Sequence, residues 1–323
     1  MADFLPKSIA DAAVAGTVAG VTGFGLYLAY NAVTGSAAAG LAAAPEEDEE
    51  EVSTTSVSKG GHSLYETDKA VSEYLMFHFH DQNKDFCPYD CAPTGLNFAK
   101  RTADICVDEL RKTPAFAGAK LRALDVGCAV GRSSFEMARA CHEVVGVDFS
   151  QKFVDAAVAL ATIPSGKSYS YTVEGVLKAS ATARVPSDID ATRCKFIQGD
   201  ACALDAAALG KFHVVHAANL LCRLPNPRAF LASLPDLVVD GGLAIFISPY
   251  SWLKQYTPDQ SKWLGGHSDA EGKPIDSFTV LRSVMASHGF TLEREGQEPF
   301  VIREHRRKFQ WGCSHLTVWR KTA

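Results

Sequence analysis

Three aspartates and two glycines are the residues of this chain best spaced to do chemistry together. Asp125 opens the pattern Asp-x-Gly-Cys-x-x-Gly, which holds Gly127 and Gly131 and continues the apolar run "LRALDV". Asp148 closes the next apolar run, "VVGVD", 23 residues later, and Asp200 closes a third, "FIQGD". Glycines after a strand let a ligand approach the backbone. An acid at the end of the following strand is where such folds bind ribose hydroxyls. The pattern is not the dinucleotide G-x-G-x-x-G, and no G-K-[ST] follows to make a P-loop. Three acids beside one loop would repel a pyrophosphate. The set therefore predicts a nucleoside without phosphates, with Asp148 on the ribose hydroxyls and Asp200 bordering the adenine amino group. Where phosphate would sit, a sulfonium carrying an amino acid is expected.

Positioning these residues takes alternating strands and helices. Strands are predicted at 121–126, 144–148, 194–198, 212–217 and 242–248. Helices are predicted at 133–141, 151–161, 227–237 and 278–288. Alternation at this spacing means βαβ units, a parallel sheet and a doubly wound α/β fold. The last segments, "FTLEREGQEPFVIRE" and "LTVWRK", have no helix between them and read as an antiparallel end to the sheet. Two helices precede the sheet. Ala70, Val71, Tyr74, Leu75 and His78 recur at helical spacing, with Thr67 as the cap. Phe98, Thr102, Ile105, Cys106 and Leu110 form one face of the second.

The composition is that of an ordinary globular protein, 47% hydrophobic and 21% charged. The acids of 46–51, with Asp3 and Asp11, make the first 51 residues strongly negative. The remainder carries about +2 of the net −5, too little for a nucleic-acid footprint. Nine cysteines show no regular framework, and Cys87 and Cys91 have no second pair at zinc spacing. Free thiols and no metal are expected. His78 and His80 lie about 200° apart on a helix, so they are not a shared ligand pair. Residues 12–33 are uncharged and long enough to span a bilayer, with Gly16 and Gly20 as a G-x-x-x-G. They predict an N-terminal apolar helix for membrane anchoring or docking, with a weakly apolar Ala/Gly tail or a targeting segment that is cut away as the alternatives. The expected domains are an apolar segment at 1–45, an acidic linker at 46–62 and a folded domain at 63–323.

The Gly loop with its three strand-end acids resembles the class I S-adenosylmethionine-dependent methyltransferases. That resemblance implies a seven-stranded, mostly parallel Rossmann-like sheet with helices on both faces, and S-adenosylmethionine as cofactor. A narrower resemblance runs from about Ser63 to Lys321. It rests on "YETDKAVSEYLMFHF" (65–79), "LDVGCAVGRSSFE" (124–136), "VVGVDFSQKFVDAA" (144–157), "QGDAC" (198–202), "AANLLCRLPNP" (217–227), "SPYSWL" (248–253), "KWLGG" (262–266) and "PFVIREHRRKFQW" (299–311). These segments are similar to the C-terminal methyltransferase domain of ovothiol synthase, in the mercaptohistidine methyltransferase family. The family implies methyl transfer to an imidazole ring nitrogen of a 5-thiolated histidine.

The cofactor set is then Tyr65, Lys69, Asp125, Gly127, Gly131, Arg132, Asp148, Phe149, Asp200, Ala201 and Asn219. Tyr65, Glu66 and Lys69 are expected to form a lid, and Arg132 to cap the Gly loop and meet the methionine carboxylate. Asn219, Tyr250 and Arg303 are the candidate catalytic residues. Asn219 would hydrogen-bond the acceptor, Tyr250 and Trp252 would wall its ring, and Arg303 and Lys308 would hold a carboxylate or thiolate. Asn219 equally suits a strand–helix cap, and the two aromatics equally suit packing. Cys128 is expected to pack under the loop. The expected partners are a thiohistidine-like small molecule and a membrane or membrane complex, with the folded domain facing cytosol, stroma or matrix. A membrane-tethered structural or binding subunit that keeps the fold without turnover is the alternative.

Overall fold

A computed structural model of the chain describes residues 63–80, 86 and 94–322. All of them fall within one compact unit, Thr55–Ala323. The apolar helix expected at 12–33, the acidic linker at 46–62, and Cys87 with Cys91 lie outside the described residues. Among the described residues no helix is long and apolar enough to cross a membrane.

Eleven strands are described. Seven form the central sheet: β1 (Arg122–Val126), β2 (Glu143–Asp148), β5 (Cys194–Gln198), β6 (Phe212–Ala218), β7 (Val238–Ser248), β10 (Phe290–His305) and β11 (Lys308–Lys321). Two small hairpins, β3 (Lys167–Glu174) with β4 (Leu177–Ala183) and β8 (His267–Ser268) with β9 (Pro274–Ile275), stand outside it. The sheet order is β10-β11-β7-β6-β1-β2-β5. β5, β2, β1, β6 and β7 are parallel, and β11 is antiparallel to both β7 and β10. The chain turns from one half of the sheet to the other between β1 and β6, which opens a crevice at the carboxyl ends of those strands. All five parallel strands predicted from the sequence are present, with ends displaced by a few residues at most.

Period-two alternation on the strands explains the two packed faces. Ala123, Val214, Leu243, Ile245 and Ile247 face one core, while Leu124, Val126, Val215, Ala217, Ala244 and Phe246 face the other. The first core is covered by α1 (Asp68–Phe79), α2 (Phe98–Arg111), α3 (Arg132–Met137) and α4 (Gln151–Thr162). The short α5 (Ala206–Leu209) borders the second core, which α6 (Pro227–Leu237) and α7 (Ser277–Ser287) cover. Thr67 caps α1 by accepting from the Ala70 N–H at 3.0 Å. Phe98, Thr102, Ile105, Cys106 and Leu110 of α2 are all buried.

Two features depart from the expectation. The helix predicted at 133–141 is only the six residues of α3, because the chain turns at 138–140. The β3–β4 hairpin was not foreseen between α4 and β5. Its sequence, "KSYSYTVEGVLKASATA", alternates small polar and aromatic residues around a Gly175–Val176 turn. That is a hairpin signal with little apolar content to announce it.

Candidate functional site

The carboxyl ends of β1, β2, β5 and β6 open into a cavity of about 550 Å³. This lies within the usual range for small-molecule and cofactor sites. Its floor is the loop after β1. The Gly127 and Cys128 N–H groups both donate to Val147 O, at 2.8 and 3.1 Å, which folds the loop over the end of β2. Gly127 has φ +73°, and a Cβ there would come within 2.9 Å of the Leu220 side chain. Only glycine keeps that backbone open to a ligand. Gly131, at φ +85°, starts α3 and does not line the cavity. A Cβ there would meet the Phe196 ring at 2.8 Å, so this glycine serves close packing of loop on sheet.

The three acids have three different surroundings. Asp148 ends β2 and lines the cavity; its Oδ2 accepts the Ala129 N–H at 2.8 Å and its Oδ1 the Ser150 N–H at 2.9 Å. Burial pushes its carboxyl up to about 6, the two backbone donors oppose this, and the nearby Asp125 charge adds to it. Asp200 lies at the end of β5 and is exposed at the cavity mouth. Its carboxylate accepts the Cys202 N–H at 2.8 Å and so holds the turn that carries Ala201. Phe149 and Ala201 line the same mouth. Asp125 is only 1% exposed. It accepts from Ser134 Oγ at 2.6 Å and pairs with His216 Nδ1 at 2.8 Å across the β1–β6 ladder.

This polar floor was not foreseen beyond Asp125. His216 is 1% exposed and its Nε2 has no hydrogen-bond partner among the described residues, and neither has Nδ1 of His78 on α1. Both imidazoles line the cavity. Burial holds His78 down to about 3, so it is neutral at physiological pH. The sequence signal was a histidine inside the apolar run "HVVHAAN", two residues before a strand end, in register with an acid.

Aromatic side chains close the cavity from above. Tyr65 stacks on Tyr256 with centroids 6.1 Å apart and 22° between planes, and their hydroxyls lie 3.3 Å apart. Tyr74 and Phe153 pack on the same cluster. The segment is tied down where Ser150 Oγ donates to Tyr65 O at 3.1 Å and the Gln151 N–H donates to Glu66 at 2.8 Å. Lys69 does not share this place. Its side chain is 84% exposed, lies 3.8 Å from Glu73, and lines a separate cavity of about 160 Å³.

The other side of the cavity begins at Asn219, just past β6. It has φ +54°, its N–H donates to Ile247 O at 2.7 Å, and its Oδ1 accepts from Ser314 Oγ at 2.6 Å. Asn219 lines the cavity. Arg223 and Tyr256 do so too, and neither was singled out from the sequence. Beyond them the β10–β11 hairpin overhangs the crevice. His315–Arg320 of β11 pairs with β7, while the Lys308–Ser314 half of β11, with the β10 residues paired to it, extends beyond β7. Phe300, Ile302, Gln310, Gly312 and the 59% exposed Trp311 line the cavity from this ribbon. Gly312 pairs with Phe300, and a Cβ on it would strike the Phe300 ring. Arg101 of α2 anchors the ribbon through Glu298 and Pro299 O.

Five further residues expected at the site sit elsewhere. Tyr250 faces away, its hydroxyl 3.1 Å from His315 Nδ1. Arg303 is buried against Tyr171, donates to Phe86 O at 3.1 Å, and borders the smaller cavity with Lys69. Arg132 lies beside Glu136, with nitrogen–oxygen distances of 2.7 and 2.9 Å, and covers the Phe79 ring; it does not line the main cavity. Trp252 packs on Trp263 and donates to Ser277 Oγ at 2.9 Å. Lys308 pairs with Glu304. Cys128 is buried beneath the loop, and burial pushes its thiol well above the usual range.

The residues present fit a nucleoside bearing an amino acid. An open glycine backbone, a carboxylate at the end of β2 and an acid at the end of β5 face one cavity that offers no phosphate cradle. The family described as methyltransferase domain matches residues 98–295. The chain is similar to magnesium protoporphyrin IX methyltransferase from Synechocystis PCC 6803. With bound SAH that structure has 19% identity over 69% of this chain and 83% of that one, at a TM-score of 0.41. With bound SAM the values are 18%, 79%, 98% and 0.40. The [4+2]-cyclase SpnF is 14% identical over 81% of this chain and 95% of its own, at a TM-score of 0.49. No curated protein matches the chain.

Proposed function

The chain belongs to the methyltransferase domain family with S-adenosylmethionine as its cofactor, and from that premise we propose that it methylates an imidazole ring nitrogen of 5-thiohistidine or a closely related small molecule. One observation carries the reading. A single cavity joins the Gly127 loop, Asp148 and Asp200 to an aromatic-lined chamber that holds Asn219. The thiohistidine acceptor is supported by the resemblance of the segments from Tyr65 to Trp311 to the mercaptohistidine methyltransferase family.

Asp148 would hold the ribose hydroxyls and Asp200 the adenine edge, with Phe149 and Ala201 beside the base. The Asp125–His216 pair and His78 would face the amino-acid end. The cofactor supplies a methyl on a positively charged sulfur, and the sulfur leaves with the S–C electron pair as a neutral thioether. The protein's part is mainly alignment, which can supply about 7–11 kcal/mol of such a barrier. Ser314 occupies the Asn219 carbonyl oxygen, so the Asn219 amide NH₂ is the group left to donate to the acceptor. A neutral imidazole brings its own lone pair, so no strong base is needed, and the N-methylimidazolium first formed releases its other N–H proton to solvent. Tyr65, Tyr74, Tyr256 and Phe153 exclude water from the reacting centre.

The test is turnover of the full chain with S-adenosylmethionine and 5-thiohistidine, read by mass spectrometry. A product heavier by one methylene, methylated on a ring nitrogen, supports the proposal. Absence of product with S-adenosylhomocysteine bound rejects the thiohistidine acceptor. We also propose membrane contact through residues 12–33 and a domain boundary near residue 63. The uncharged 12–33 segment supports the first and the 46–51 acidic run the second. Full-length chain recovered entirely free of membranes would reject the contact.

A further inference from the structure

We infer that Arg223 binds a carboxylate on the methyl acceptor, so that the cavity selects a small ring-bearing acid. The inference rests on the methyl-transfer reading and specifies the substrate side of the same site.

Arg223 lies four residues after Asn219 on the loop that follows β6, and both line the cavity. Its hydrogen bonds all use Nη1, which donates to Ser251 O at 2.8 Å and to Cys222 O at 3.3 Å, with Cys222 Sγ 3.4 Å away. The guanidinium plane covers the Tyr256 ring, with Cζ 4.6 Å from the centroid. These contacts fix the orientation of the fork. They leave the Nε and Nη2 donors with no hydrogen bond to any described residue. No described carboxylate lies within ion-pair distance of Arg223. Arg101, Arg122, Arg132, Arg139, Arg294 and Arg320, by contrast, all have carboxylate partners. An oriented, half-buried guanidinium without a counter-charge is costly unless a ligand brings one. The Nε–Nη2 edge matches a carboxylate with two parallel hydrogen bonds.

The surroundings define the rest of the ligand. The Tyr65–Tyr256 stack, with Tyr74 and Phe153 packed on it, forms an aromatic wall. Asn219 offers a polar contact on the same loop as the arginine. A planar heteroaromatic ring with a short acidic side chain satisfies all three. The cofactor has a carboxylate of its own, but Arg223 reaches the cavity from the β6–β7 side, tied to Ser251. The Gly127 loop and the polar floor of Asp125, His216 and His78 lie on the α1–α2 face.

The experiment titrates the full-length protein, saturated with S-adenosylhomocysteine, with imidazole-4-propionate and with 4-ethylimidazole in a calorimeter. The acid is expected to bind roughly tenfold to a hundredfold tighter, as for a hydrogen bond to a charged group. Arg223→Gln is expected to abolish that preference and leave S-adenosylhomocysteine affinity unchanged, which also shows that the variant is folded. Arg223→Lys keeps the charge, loses the fork and should restore only part of the preference. Equal affinity of the wild-type protein for the two probes, or a preference that survives in Arg223→Gln, overturns the inference. Loss of S-adenosylhomocysteine affinity in Arg223→Gln overturns it as well, by assigning the arginine to the cofactor's carboxylate. Failure of the thiohistidine reading shows separately, as no methylation of 5-thiohistidine while the Arg223-dependent preference persists.

Discussion

Asp148 is kept ionised against its surroundings, and Asp148→Asn measures what that costs. Burial raises the carboxyl from the ordinary 3.8 to about 6. A displacement of about two pH units corresponds to about 3 kcal/mol. The folded value lies above the unfolded one, so the folded state holds an extra proton between pH 3.8 and about 6. The stability this gives is fully present below 3.8 and is lost as pH rises through about 6. Asparagine does not titrate, but it has one carbonyl oxygen for two N–H donors, a loss of about 1 kcal/mol. The variant should match the wild-type protein near pH 4.5. By pH 7.5 it should be about 2 kcal/mol more stable, a Tm rise of roughly 4–8 °C for a domain of this size. Function moves the other way. Only the ionised carboxylate accepts from both ribose hydroxyls, so wild-type affinity for S-adenosylhomocysteine should fall up to about tenfold per pH unit below pH 6. The variant should bind more weakly at neutral pH and show no such slope. Urea unfolding at the two pH values and calorimetric titration check both. A stability difference that is the same at pH 4.5 and 7.5 would refute the reasoning.

Three further outcomes are expected. Gly131→Ala places a methyl against the Phe196 ring at positive φ and should cost roughly 2–4 kcal/mol in urea unfolding; a loss under about 1 kcal/mol rejects the packing role. Asn219→Ala should lower methyl-transfer turnover by about tenfold or more with S-adenosylhomocysteine affinity unchanged, since it removes the proposed acceptor contact and the Ser314 hydrogen bond that orients it; parallel loss of both would place Asn219 in cofactor binding. Among the described cysteines, iodoacetamide at pH 8 should label exposed Cys313 first, while Cys106 and Cys128 stay protected until urea is added. Early labelling of Cys128, read by peptide mass spectrometry, would show that the loop opens in the native state.

The strand pattern and the cavity floor were legible in the sequence because both come from local rules. Apolar runs ending in Asp or Gly mark where β1, β2 and β5 stop, and Asp148, Asp200, Phe149 and Ala201 line the mouth of one cavity. What the chain order hides is which long side chains reach across. Arg132 follows the Gly loop in sequence, yet Glu136, one helical turn on, captures its guanidinium. Arg303 lies on the overhanging ribbon but faces Tyr171 of the unforeseen β3–β4 hairpin. Tyr250 follows β7 and turns to His315 through a positive φ of 52°. Conversely, Arg223 and Tyr256 meet through a cation–π contact between segments 33 residues apart, which no spacing rule announces. His216 becomes part of the site only because β6 lies beside β1, a crossover fixed by topology.

The overhanging β10–β11 ribbon makes one wall of the cavity adjustable in discrete steps. Phe300 and Ile302 lie two residues apart on one strand, opposite Gly312 and Gln310 on the other. Adding or deleting a single residue on one strand would exchange inward for outward faces along the wall and set a side chain where Gly312 now admits the Phe300 ring. Matched changes of two residues on each strand would keep the faces and move the wall by about 7 Å. The room on this side of the cavity can therefore be changed by the parity of ribbon insertions alone. The loops after β1, β2 and β5 that face the cofactor are untouched by such changes.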